Sequence, residues 1–99
     1  MSKIGEYTEP RKADEKIQQL CNQVKDQVET KTGKEYKQFT AILYRTQVVA
    51  GKNFLIKVHA GGSEYLHIYA YQSSPKKGEI KTLLKRVEKH KEGDPLEPI

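Results

Sequence analysis

Residues 36–58 read YKQFTAILYRTQVVAGKNFLIKV, and the recurrence of their apolar side chains sets the fold. From about Tyr36 to Val49, β-branched and aromatic residues recur with a period near two, the spacing that sends alternate side chains to opposite faces of a strand. Apolar residues occupy both faces, Ile42 and Tyr44 on one, Phe39 and Leu43 on the other. Beyond Ala50-Gly51-Lys52, which reads as a turn, Phe54, Ile56 and Val58 alternate with Asn53, Lys57 and His59. Gly61-Gly62-Ser63 marks a second short turn. After it Leu66, Ile68 and Ala70 alternate with Tyr65, His67, Tyr69 and Tyr71. Three consecutive strands joined by short turns predict an antiparallel meander, the last two strands half-buried.

The apolar face of such a sheet needs a cover, and the residues upstream supply one. Ala13, Ile17, Leu20, Cys21, Val24 and Val28 recur at intervals of three and four, which stacks them along one stripe of an α-helix starting near Lys12. Asp14 and Glu15 suit its positive start, and Lys31 with Gly33 marks its stop. The economical assembly is an α+β domain of two layers, the sheet wrapped across the helix. Residues 1–9, with Gly5 and no period, predict a flexible arm, and Pro10 stands where a helix could begin. Downstream, Ile80, Leu83, Leu84 and Val87 lie at intervals of three, one and three, a local pattern that reads as helix. Gly93, Pro95 and Pro98 end any regular element.

Ninety-nine residues make one domain and exclude a two-domain enzyme. With 35% hydrophobic and 31% charged residues the chain is polar, yet it has enough Val, Ile, Leu, Phe and Tyr for a core. No apolar run approaches the roughly 18 residues of a membrane span, and the opening residues lack a signal peptide's apolar stretch, so a cytoplasmic location is expected. The lone Cys21 excludes a disulfide framework and suits a reducing compartment. The net charge of +5 concentrates in the tail, where Lys76, Lys77, Lys81, Lys85, Arg86, Lys89 and Lys91 are interrupted only by Glu79 and Glu88. A run of this kind reads as a solvated face.

Catalytic chemistry finds no constellation. Cys21 falls on the helix's apolar stripe, while His59 and His67 fall on outward strand positions, so no Cys-His pair is suggested. His59, His67 and His90 lack a metal-binding spacing, and glycine-rich phosphate motifs are missing. No catalytic residue, metal or cofactor is expected.

An arm with Gly5, then a helix, then a long strand ending in Gln47-Val48-Val49-Ala50-Gly51 together resemble the stefins, the intracellular single-domain cystatins without disulfides. The resemblance covers nearly all of residues 1–99. It continues through Asn53-Phe54-Leu55-Ile56-Lys57-Val58, Gly61, Leu66-His67-Ile68 and Gln72-Ser73-Ser74-Pro75, and Asp94 and Leu96 echo the family's ending. Gln-x-Val-x-Gly alone arises by chance in roughly a few per cent of chains this long; its order relative to the other features makes it specific. The resemblance implies a cystatin-like fold, a curved antiparallel sheet around one long helix. It also implies that the tail around Ile80 to Val87 is a last strand, against its local pattern.

The resemblance further implies a reversible inhibitor of papain-like cysteine proteases of the cathepsin type. In that family the arm and two hairpin loops form a wedge that enters the protease cleft. Here those parts are Ile4 and Gly5, then Gln47, Val48, Val49, Ala50 and Gly51, then Ser74 and Pro75. Gly5 lets the backbone approach the enzyme closely, and Ile4 offers an apolar side chain to an unprimed subsite. Val48 and Val49 give apolar contact at the first loop, Gly51 makes its tight turn, and Gln47 supports its base. Two valines at a turn are costly without a partner. Pro75 pre-sets the second loop, but Ser74 stands where the family places a bulky apolar residue, which weakens that corner.

Two other readings stay in view. Tyr65, Tyr69 and Tyr71 share a strand face and, with the basic tail, could serve a single-stranded nucleic-acid module, although outward tyrosines more often cover and stiffen a sheet. Alternatively, the same fold is a scaffold for another protein partner. No membrane partner is expected. The chain is expected to be a monomer, and the paired valines between two long strands raise exchange of a hairpin between two copies, a domain-swapped dimer.

Overall fold

The structure, a computed structural model, describes residues 7–49, 51–73 and 81–96. Ile4, Gly5, Ala50, Ser74, Pro75 and Ile80 lie outside the described residues. A two-residue strand β1 (Arg11–Lys12) is followed by the helix α1 (Glu15–Thr32) and by β2 (Thr40–Val49), β3 (Gly51–His59), β4 (Tyr65–Gln72) and β5 (Thr82–His90). All pairings are antiparallel and the sheet order is β1-β2-β3-β4-β5, so the expected meander gains a strand on each side.

Local chemistry fixes the ends of α1. Asp14 keeps an extended backbone, and its Oδ1 accepts the Ile17 N–H at 3.0 Å, pairing one of the donors that a helix start leaves without an intrahelical partner. Glu15 in the first turn and Lys31 in the last complement the helix dipole. Gly33, at φ 71, takes the left-handed conformation and donates its N–H to the Glu29 carbonyl at 2.8 Å. The helix thus begins after Asp14, and the residues following Pro10 pair with Tyr44 and Leu43 instead. Replacing Asp14 by Ala is expected to cost about 1 kcal/mol and lower the melting temperature by roughly 4–8 °C in a thermal melt followed by circular dichroism.

Ile17, Leu20, Cys21, Val24 and Val28 are all buried, as their spacing predicts. They meet Phe54, Ile56, Val58, Leu66, Ile68, Ala70 and Leu84 from the sheet. The strand expected from Tyr36 starts at Thr40. Tyr36 and Phe39 are buried in the connection before it, their ring centroids 5.9 Å apart. The Gln18 side chain seals that corner, donating to the Phe39 carbonyl and accepting the Ala41 N–H, each at 2.8 Å.

Two β-bulges depart from simple alternation. In β2 Ala41 faces Val58 and Leu43 faces Lys57, so Ile42 is the extra residue. It is exposed, whereas Ala41 and Tyr44 both pack against the core, which corrects the expected grouping of Ile42 with Tyr44. In β5 Arg86 faces Tyr69 and Leu84 faces Ala70, leaving Lys85 as the extra residue. Leu84 and Val87, three apart, therefore both reach the helix. That bulge is why the segment mimics a helical pattern, and the helical reading of the tail gives way to the strand. Gln27 Oε1 accepts the Leu84 N–H at 3.1 Å and Thr82 Oγ1 donates to Gln23 Oε1 at 3.0 Å, so α1 also holds this edge by polar contacts.

The sheet face away from the helix is not open at its centre. Leu55, Lys57 and His67 are buried there, His67 at 1% exposure, so the outward position of His67 is a covered one. Residues 91–96 cross this face: Lys57 Nζ donates to the Glu92 carbonyl and Arg45 Nη1 to the Leu96 carbonyl, both at 2.8 Å, and Leu96 is itself buried. His59, by contrast, is partly exposed, its ring nitrogen 2.8 Å from the Gly62 carbonyl.

Candidate functional site

The β2–β3 hairpin and the facing ends of β4 and β5 form one end of the sheet. Pairing in the hairpin continues as far as Val49 opposite Gly51. Just inside it, Val48 lies opposite Lys52, Lys52 opposite Gln72, and Gln72 opposite Thr82. Val48 is 54% exposed although it is an aliphatic residue in a paired strand. The next row aligns Gln47, Asn53, Tyr71 and Leu83 across four strands. Within it Asn53 Nδ2 donates to Gln47 Oε1 at 2.7 Å, so the side chain expected to support the base of the hairpin does join its two strands. Leu83 is 56% exposed at the β5 end of this row.

Gly51 owes its identity to a close approach that its sequence neighbours do not reveal. Its φ of 111 lies where L side chains rarely go, and a Cβ there would strike the Gln72 carbonyl oxygen and the Tyr71 ring. The first hairpin is thus packed hard against the end of β4, the strand that leads toward Ser74 and Pro75. Those two residues and Ala50, which the resemblance leads one to expect in the wedge, lie outside the described residues.

The arm is anchored from Tyr7 onward. Tyr7 forms an isolated antiparallel bridge with Gln47, the Thr8 N–H donates to the Thr46 carbonyl at 2.8 Å, and Thr8 Oγ1 accepts the Thr46 N–H at 3.1 Å. Arg45 Nε donates to the Thr8 carbonyl at 2.8 Å. Residues 7 and 8 of the expected arm are therefore held beside β2. Burial raises the Tyr7 phenol above its ordinary value, and the Arg45 charge works against that rise. Tyr7, Gln47, Asn53, Tyr69, Lys85 and Arg86 line an open depression of 390 Å³ next to this row. Sequence reasoning missed Tyr7 and Arg45, since their partners lie 37 or more residues away and no local period signals them.

The other candidate chemistries find little here. Cys21 is fully buried and its thiol is pushed up to about 12 by burial, which suits a core residue and not a nucleophile. His67 stands on the opposite face of the sheet from α1. Among the described residues no group of three His, Cys, Asp or Glu is placed to hold a metal ion, and no helix is long and apolar enough to cross a membrane. Tyr65, Tyr69 and Tyr71 do share the outer face, yet each is engaged. Tyr65 stacks on His59 at 4.7 Å, Lys85 Nζ lies 6.0 Å from the Tyr71 centroid, and burial followed by Glu88 raises the Tyr69 phenol.

Comparison with known proteins agrees with this architecture. Residues 5–94 match the cystatin domain. The chain is 56% identical over 71 residues to leukocyte cysteine proteinase inhibitor 1 of Sus scrofa, covering 72% of this chain and 69% of that one. It is 48% identical over 91 residues to cystatin-A8 of Sus scrofa, covering 91% and 88%. It is 41% identical over 93 residues to cystatin-B of Paralichthys olivaceus, covering 94% and 95%. One helix on a five-stranded antiparallel meander among the described residues, together with these matches across nearly the whole chain, places it in the cystatin family, among relatives of the stefin type, cystatins A and B.

Proposed function

We propose that this chain is a reversible, tight-binding inhibitor of papain-like cysteine proteases of the cathepsin type, acting in the cytoplasm. It fills the protease cleft with a wedge built from the arm at Ile4 and Gly5, the first hairpin from Gln47 to Gly51 and the second loop at Ser74 and Pro75. The observation that carries the reading is Val48, an aliphatic side chain 54% exposed at the end of a hairpin whose base is locked by the Asn53–Gln47 hydrogen bond and by the packing of Gly51. An exposed aliphatic side chain on a paired strand whose base is locked loses little entropy on binding and has contact area to gain. One relative, 56% identical, bears the name of a cysteine proteinase inhibitor.

Three contacts on one edge share a single association cost, so an interface of standard size, about 1,600 Å², suffices for tight binding. Tyr7 and Thr8 are already paired with β2, so this part of the arm needs no ordering on binding. The inhibitor is not cleaved in this scheme, since no peptide bond has to reach the nucleophile. It works as a monomer, with hairpin exchange into a dimer as a side reaction of the loop between β2 and β3.

A two-enzyme panel tests the proposal, using one open-cleft papain-like endopeptidase and one exopeptidase with an occluded cleft. Both are expected to be inhibited by the full chain. Deleting residues 1–5 stops short of the Tyr7 anchor, so the fold should hold while inhibition weakens about tenfold or more, most for the occluded enzyme. Inhibition of neither enzyme by the full chain would overturn the proposal, and an unchanged inhibition constant after the deletion would remove the arm from it.

A further inference from the structure

Two histidines on the outer face of the sheet stack face to face where the C-terminal segment crosses it. The rings of His67 on β4 and His90 on β5 are 3.7 Å apart and 15° from parallel. His67 is almost wholly buried, and its Nε2 has no hydrogen-bond partner. His90 is held on both sides, Nδ1 at 3.0 Å from Asp94 Oδ2 and Nε2 at 3.3 Å from Glu88 Oε1. Asp94 Oδ2 also accepts the Lys91 N–H at 3.0 Å, which folds the segment into its turn. The charged and titratable groups facing His67 are Lys57 from β3, Glu88 and His90 from β5, and Asp94 from the crossing segment.

The same segment is joined to the arm by a single side chain. Arg45 donates through Nε to the Thr8 carbonyl and through Nη1 to the Leu96 carbonyl, both at 2.8 Å. One guanidinium therefore holds the base of the N-terminal arm and the end of the C-terminal segment in a fixed relation. Its planar fork is pre-organised for two such acceptors at once.

We propose that residues 91–96 form a strap that is released by acid through His67 and that steadies the arm through Arg45. The link to inhibition rests on the protease-binding reading above; the strap itself does not. The physical basis is an imidazole sealed beneath the strap, with a cation on one side and a second histidine stacked on it, which has no room for a proton's charge. Burial first, then His90 and Lys57, push His67 down from its ordinary 6.5 to about 4. With the strap lifted His67 meets water and regains its ordinary affinity for a proton.

The sign follows from linkage. Well above pH 6.5 both forms are neutral at His67 and the strap keeps its full stability. As pH falls from 6.5 toward 4, the lifted form binds a proton that the seated form refuses, so the seated form loses ground, by about tenfold at pH 5.5 and about eightyfold at pH 4.5. Below about 4 both forms are protonated and the loss stops growing. Glu88 is held below the usual carboxylate range chiefly by its hydrogen bond to His90, and Asp94 chiefly by the Lys91 N–H.

Amide hydrogen exchange followed by NMR on the full chain, corrected for the intrinsic pH dependence, tests this. The Lys91 and Asp94 amides report the strap, the Thr8 amide the arm, and the Val24 amide the helix. Between pH 7 and 4.5, strap protection is expected to fall several tens of times and Thr8 protection a few times, with Val24 unchanged. In His67→Phe, which keeps a stacked ring without a titrating nitrogen, strap protection is expected not to depend on pH. Strap protection equal at the two pH values in the unaltered chain, or lost equally in His67→Phe, overturns the proposal. Should that variant not fold, the imidazole titration of His67 in the unaltered chain decides: a midpoint below 5 supports the strap and one near 6.5 overturns it.

Inhibition of a protease active at both pH values then tests the link to the arm. The ratio of inhibition constants at pH 4.5 and pH 7 should be larger for the unaltered chain than for His67→Phe. Equal ratios overturn that link, whereas absence of inhibition at either pH is the failure of the proposed function and leaves the exchange result to judge the strap.

Discussion

Replacing Val48 by Asp is expected to weaken inhibition of a papain-like endopeptidase by about a hundredfold, equivalent to about 2.7 kcal/mol, while leaving the melting temperature almost unchanged. The two halves of the expectation rest on different links. Stability is insensitive because Val48 is 54% exposed and lies opposite Lys52, so a carboxylate there stays hydrated and gains an oppositely charged cross-strand neighbour. In the proposed wedge binding is sensitive because the same side chain would enter an apolar cleft, where an ionised group loses its water without a partner. The measurement pairs inhibition constants with thermal melts on both proteins. An unchanged inhibition constant would remove Val48 from the contact. A melting temperature lowered by more than about 5 °C would show that the hairpin, and not only its tip, depends on this valine.

That experiment also separates what could be read in the chain from what could not. The helix was legible because its stripe, its Asp14 cap and its Gly33 stop are all local: every interaction that sets its ends lies within four residues. The meander was legible for the same reason, alternation being a property of neighbours. Legibility failed where a bulge shifts the count. Ala41 and Tyr44 in β2, like Leu84 and Val87 in β5, are three apart and face the same way, a spacing that a helix also produces. The resemblance to the stefins settled β5 where the period misled.

The outer face was hidden for a different reason. Alternation assigns His67 correctly to the face away from α1, but says nothing of what lies over it. Residues 91–96 are polar and broken by Gly93 and Pro95, and carry no period. Their position depends on Arg45 and Lys57 reaching backbone carbonyls more than 30 residues away. Of the candidate site, Gln47 accepts a hydrogen bond from Asn53 across the base of the hairpin and Val48 is exposed near its end. Tyr7 and Arg45 entered only when β2 brought the arm beside them.

Gly51 is the residue whose replacement should cost the fold most, and for a reason that the motif alone does not contain. Gly51→Ala is expected to destabilise the chain by about 3 kcal/mol or more and lower the melting temperature by roughly 15 °C. Two costs add. At φ 111 an alanine backbone is strained by about 1–3 kcal/mol, and its Cβ would strike the Gln72 carbonyl oxygen, a backbone atom held in the β3–β4 ladder that cannot swing aside as a side-chain end would. Relief requires the hairpin to lift from β4, which also disturbs the Tyr71 ring and the row from Gln47 to Leu83 behind it. Gly33→Ala is the internal control, since that glycine has φ 71 with nothing within 4 Å of its added Cβ, and only the conformational cost of about 1 kcal/mol applies. Thermal melts of the two variants side by side distinguish collision from backbone strain. If they fall equally, the approach to Gln72 is not what demands glycine at position 51; if Gly51→Ala falls two to three times as far, the glycine of the first hairpin is fixed by the strand beside it.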